Sequence, residues 1–163
     1  MASAQEALIA TIVFATVSAS FPFYLYGAWV ILRVEVVTWS VLMHHLRFIA
    51  VGLTLTTGPV LFWMLPRLLA TLDGYTVLHG FIGIQAYALL VFALTGIVHI
   101  FRAKRAHDLY EDPHQDVDLD EIHEDMGAWR FRLRTGVFGF LVLWLLAWVV
   151  GTIRYVIYYT SLL

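Results

Sequence analysis

From Gly74 to Phe101 the chain carries no Asp, Glu, Lys or Arg. That run exceeds the roughly 18 apolar residues that already mark a membrane-spanning helix. Three more uncharged stretches accompany it: Ala7 to Leu32, Phe48 to Pro66 and Thr135 to Ile153. A chain with this pattern must satisfy its backbone hydrogen bonds inside each segment, because lipid offers none. The sequence therefore predicts an all-α, integral membrane four-helix bundle of up-down-up-down topology, with spans over residues 7–32, 41–65, 75–101 and 135–159. Only 13% of the 163 residues are charged, about half the share usual in soluble domains. The length suits a single domain.

The first stretch has no Lys or Arg before it and is too long for the apolar core of a signal peptide, so it is expected to be a retained span. Pro22 is expected to kink it near Phe21, Gly58-Pro59 to bend the second span, and Pro66-Arg67 to end it. Short connections on either side of the second span make spans one, two and three expected antiparallel neighbours. Between Ala103 and Arg134 the chain is too polar for lipid, although Leu119 to Arg134 has the makings of a helix leading into the fourth span.

Eight of the ten basic residues fall at one end of such a bundle: Arg33, Arg47, Arg102, Lys104, Arg105, Arg130, Arg132 and Arg134. Arg67 and Arg154 fall at the other. The positive-inside rule predicts loop 103–134 in the cytoplasm and both termini outside a cell membrane. The absence of cysteine excludes disulfides, thiolate metal sites and iron–sulfur clusters. A net charge of −2 without a basic, aromatic-rich patch argues against a nucleic-acid partner. No GxSxG elbow or phosphate-binding glycine loop is present, and nothing in the sequence points to a self-sufficient enzyme.

Histidines carry the remaining chemistry. His44 and His45 open the second span and His99 closes the third, so antiparallel packing puts them at one depth. Imidazoles from facing helices at one depth are what bis-histidine ligation of haem iron requires. The expected cofactor-binding set is thus His44, His45 and His99, with Arg47 and Arg102 pairing the propionates of a haem b. His44 and His45 diverge by about 100° on a helix, so only one of them can face His99. The other is left for a metal, a quinone carbonyl or nothing. His79, at the opposite end, neighbours Met64 and Trp63 and is expected to serve packing and hydrogen bonding. The acidic loop from His107 to His123 lacks the glycine and spacing of a calcium loop and reads as solvated.

This order — a histidine opening one span, histidines at both ends of the next, then the run MGAWRFRLRTG into an aromatic last span — resembles small four-helix membrane proteins of haem and cytochrome oxidase biogenesis. It is more distantly similar to four-helix b-type cytochromes. The resemblance covers Leu42 to Tyr159 and implies a haem-binding or haem-handling component linked to the respiratory electron-transport chain, with a respiratory membrane complex or quinone as partner alongside the lipid bilayer. The chain departs from di-haem cytochromes in lacking a second histidine pair. The alternative is a cofactor-free accessory or assembly subunit of a larger membrane complex. The acid-rich, lysine-poor loop resembles proteins of extreme halophiles.

Overall fold

A computed structural model of the chain describes residues 3–35, 37–70, 73–106 and 122–160. They form helices throughout, with no strand among the described residues. The first span is two helices, α1 (Ala4–Ala19) and α2 (Phe21–Leu32). Ser3 caps α1 in a reciprocal capping box with Glu6. The break falls at Ser20, where Pro22 enters the first turn of α2; a proline there removes no helical hydrogen bond.

The second span begins with α3 (Trp39–Pro59), capped by the Thr38 hydroxyl. Pro59 has no N–H to give to the preceding turn. The backbone widens into a π-helical turn over Val60–Met64 and resumes as α4 (Leu65–Ala70). The sequence places the end of this span at Pro66, yet the helix runs on to Ala70. Pro66 sits in the first turn of the resumed helix, where its missing donor costs little.

The third span is α5 (Gly74–Ala106) and the fourth is α6 (Met126–Tyr159). Both outrun their uncharged cores. α6 takes in most of the basic stretch assigned to the loop, and residues 107–121 lie outside the described residues. All four spans are long and apolar enough to cross a membrane.

Helix contacts set the order of the spans around the bundle. α5 and α6 make the most extensive pair, α2 packs on α3, and α1 and α2 both pack on α6. Small residues build the α5–α6 seam: a Cβ on Gly96 would stand 2.6 Å from the Trp129 carbonyl oxygen, and one on Gly136 would stand 2.7 Å from the Ala93 Cβ. Close backbone approach of this kind substitutes dispersion for the hydrophobic drive that lipid does not supply.

Spans two and three are therefore not the paired neighbours that the short connection between them suggests. They meet chiefly at their ends. At the end carrying the 103–125 connection (the loop end), the Trp39 ring packs edge-on to Phe101 at 4.9 Å. Lys104, which is 1% exposed, places its ammonium 3.8 Å from the Trp39 ring centroid. At the opposite end (the termini end) Leu68 of α4 covers Gly80 of α5. In between, they touch at the Thr57 and Tyr87 hydroxyls and are otherwise parted by a cavity.

Two apolar cores follow. One, at the loop end, joins Ile31, Val37, Leu42, Ile97, Ile100, Met126 and Leu133. The other, further along, joins Tyr24, Ile49, Leu90, Phe140 and Trp144. Arg134 closes the loop end by donating to the Val34 and Glu35 carbonyls of the first connection.

Candidate functional site: two clusters at opposite ends

At the loop end the expected haem residues are near one another in depth but not in direction. α3 buries the stripe Leu42, His45, Ile49, Gly52 and Thr56, spaced at three and four residues as one helix face demands. That face meets α2 most extensively, although Leu42 and Ile49 also join cores that include α5 residues. His45 is 1% exposed, and its Nδ1 donates to the Gly27 carbonyl oxygen at 2.7 Å. His44, one step round the helix, is exposed and lies 3.3 Å from the Tyr26 hydroxyl.

His99 falls off the buried stripe of α5, which runs through Ala93, Gly96, Ile97 and Ile100. Its ring stacks on Trp129 of α6, centroids 5.2 Å apart and planes 17° apart. His123 packs on the same indole at 4.8 Å, so Trp129 contacts two imidazoles. Arg47 and Arg102 are both exposed. As placed, the rings of His45 and His99 address different helices, His45 the Gly27 carbonyl of α2 and His99 the indole of Trp129 on α6. The physical reason is the span order: the second span turns its buried face to the first, and the third turns its own to the fourth. No group of three His, Asp or Glu side chains with metal-holding geometry occurs among the described residues.

The termini end is built differently. Where span two leaves span three, a cavity of about 370 Å³ opens. Its walls are Val60, Leu61 and Leu65 from the second span, Gly83, Ile84 and Ala86 from the third, and Trp144 and Ala147 from the fourth. Leu61 and Ile84 are 51% and 64% exposed, so the cavity opens sideways between spans two and three. A Cβ on Gly83 would meet nothing within 4 Å. The Thr57 and Tyr87 hydroxyls, 3.2 Å apart, put a polar pair on a wall that also carries Thr56, with His79 and Arg154 at one end.

A smaller cavity of about 100 Å³ adjoins it, sharing Val17, Met64, His79, Trp148 and Arg154 as walls. This one is aromatic and cationic. Arg67 lies over the Trp63 ring at 3.6 Å and gives one N–H to Glu6 at 3.1 Å. Arg154 donates to His79 Nδ1 at 3.3 Å. That bond assigns the neutral ring's own proton to Nε2, which makes His79 a donor rather than an open metal ligand. The imidazole rests on Gly151, where a Cβ would stand 3.0 Å from its Cε1. The Nε atoms of Arg67 and Arg154 are buried with no hydrogen-bond partner among the described residues. Phe14 stacks on Tyr155 at 4.8 Å, and Thr11 bonds the Tyr155 hydroxyl at 2.7 Å, fixing the far wall.

Outside the apolar spans, Asp73 caps α5. It accepts from the Thr76 N–H at 2.9 Å and the Thr76 hydroxyl at 2.8 Å. Those bonds, the backbone one foremost, with the nearby Arg154 charge, hold its carboxyl below the usual carboxylate range.

Sequence reasoning gave His79 the partners Met64 and Trp63. Both do line these cavities, but the side chain that bonds His79 is Arg154. A signal for that pairing existed in the glycine spacing. Gly96, Gly136, Gly139 and Gly151 fix the antiparallel register of α5 on α6, and that register puts position 79 opposite position 151.

Residues 6–160 match the model of a family described as a domain of unknown function, DUF7321. No curated protein matches the chain, and no solved structure does.

Proposed function

The chain belongs to the DUF7321 family, and we propose that it works there as a binding component of the membrane that holds a lipophilic molecule between its second, third and fourth spans, as an accessory or assembly subunit of a larger membrane complex. One observation carries this reading: a laterally open apolar cavity of about 370 Å³ with donors gathered at one end. A binding site in a protein is usually of this kind, mostly apolar with a few convergent polar groups that fix orientation. The cavity's volume is at the lower end of the range for drug-sized ligands, and it suits a chain or small ring system better than a bulky macrocycle. On the positive-inside reading the cavity faces the outer leaflet, with the basic loop end in the cytoplasm.

Native mass spectrometry of the detergent-extracted protein tests it. A bound amphiphile of defined mass, lost in Gly83→Leu, supports the reading. A chain that leaves the membrane with nothing bound, and accepts no added amphiphile, refutes it.

The haem reading has in its favour that His45 and His99 share the loop end. Their ring partners, Gly27 and Trp129, lend it no support. A visible absorption spectrum of the same preparation decides between them: a Soret band lost in His99→Ala supports a haem-handling role in the respiratory chain, and a colourless protein supports the cofactor-free subunit.

A further inference from the structure

We infer that the occupant is an anionic lipid, its phosphate-bearing head held between Arg67 and Arg154 in the smaller cavity and one hydrocarbon chain lying in the larger. This rests on the binding reading above and adds the chemistry of the head.

Three observations carry it. The two cavities share walls, Arg154 and His79 among them, so a single molecule can occupy both with its charged part at the shared end, where Arg67 joins the smaller cavity. Away from that shared end the larger is lined mostly by hydrocarbon. The smaller brings together two guanidinium groups from different helices and the Nε2–H of His79. Guanidinium is the side chain best matched to phosphate oxygens, because its planar fork offers parallel N–H donors.

Next, this cationic pocket is short of acceptors. Buried donors are ordinarily satisfied, yet the Arg67 and Arg154 Nε atoms have no protein partner among the described residues. The carboxylates on hand are few. Glu6 takes one N–H of Arg67, and Asp73, close enough to be felt by Arg154, is occupied by Thr76.

Finally, the geometry matches a lipid's dimensions. From His79 to Tyr87 the third span rises about 12 Å, enough for roughly the first ten carbons of an extended chain. The rest leaves through the side opening between Leu61 and Ile84, where membrane hydrocarbon would continue it.

The full chain in neutral detergent tests the inference. Dioleoyl phosphatidylglycerol, dioleoyl phosphatidylcholine, a neutral long-chain quinone and inorganic phosphate are titrated separately. Intrinsic fluorescence of the cavity tryptophans Trp63, Trp144 and Trp148 reports binding, and native mass spectrometry reports stoichiometry. Expected are one phosphatidylglycerol per chain, phosphatidylcholine and quinone weaker by on the order of tenfold, and no response to inorganic phosphate. Arg154→Gln and Arg67→Gln each remove most of the preference for the anionic head. Glu6→Gln, which keeps the capping box but frees Arg67, tightens phosphatidylglycerol. Gly83→Leu, whose side chain enters open space, abolishes binding of every amphiphile while the protein still melts cooperatively.

Equal binding of charged and neutral amphiphiles, unaltered by Arg154→Gln, overturns the head assignment and leaves the cavity reading standing. Tight binding of inorganic phosphate alone overturns the lipid in favour of a free anion. Amphiphile binding that survives Gly83→Leu, or no amphiphile binding at all, overturns the cavity reading and this inference with it.

Discussion

The seam between α5 and α6 offers the sharpest test of how the bundle is held together. In Gly136→Ala the new methyl would sit 2.7 Å from the Ala93 Cβ, 2.8 Å from the Ala93 nitrogen and 2.8 Å from the Leu89 carbonyl oxygen. Two of those three atoms are backbone, so no rotamer change relieves the contact. Ordinary contact starts near 3.4 Å, so the helices must separate by about 0.7 Å. A gap of that size forfeits a quarter to a half of the dispersion well of every atom pair along the seam. Overpacked cores typically lose about 1–3 kcal/mol. Alanine's advantage over glycine in a helix, about 1 kcal/mol in water, offsets less here, because spans stay helical when a membrane protein unfolds within lipid or detergent.

The net expectation is a loss of about 1–2 kcal/mol, roughly a tenfold change in the unfolding equilibrium. Gly83→Ala is the matched control: same helix class, same substitution, open space, and no expected loss. Unfolding in mixed micelles of neutral detergent and dodecyl sulfate, followed by tryptophan fluorescence, reads both midpoints. If Gly136→Ala unfolds at the same dodecyl sulfate fraction as Gly83→Ala, backbone approach at this seam is not what holds α5 to α6.

Other outcomes follow from single contacts. Replacing His45 with Phe removes the bond to the Gly27 carbonyl from a fully buried site and is expected to lower stability by about 1–2 kcal/mol in the same assay, whereas His44→Phe, at an exposed position, should be near neutral. Trp39→Leu takes away the ring beneath the Lys104 ammonium; a desolvated cation–π contact of this kind is worth about 2 kcal/mol, so the loss should exceed that of Trp39→Phe. The Asp73 cap gives a pH signature. Its carboxyl is held below the usual range, so its stabilisation is complete above the ordinary carboxylate value and disappears as pH falls through the lowered one. Thermal melts of wild type and Asp73→Asn should differ at pH 7 and converge toward pH 3; a constant difference across that range would contradict the capping role.

The four spans were legible because uncharged length is a property of each segment alone. Ser20–Pro22 and Gly58-Pro59 announced the two irregularities for the same reason: a missing N–H acts on its own helix. Which helices touch is another matter. The stripe Leu42, His45, Ile49, Gly52 and Thr56 identifies a buried face without naming the helix opposite, and the short connection after Ala70 suggested the wrong one. The placement of His45 against Gly27 and of His99 against Trp129 followed from that order. Arg134, bridging to Val34 and Glu35, joins positions far apart in sequence. No local spacing encodes such bonds. The cavity is harder still to foresee, since it arises where two helices fail to meet.

That failure has a mechanical corollary. Pro59 withholds one rung of the helical ladder, and the π-helical turn from Val60 to Met64 spaces the following rungs differently. The segment ending at Ala70 is thus joined to its own helix through an irregular turn, while Arg134 and the loop-end core clamp the opposite half. A bend at Pro59 would move Leu61 relative to Ile84, both of which line the larger cavity. On the binding reading proposed above, the rim of the cavity thus stands on the least regular turn of its helix.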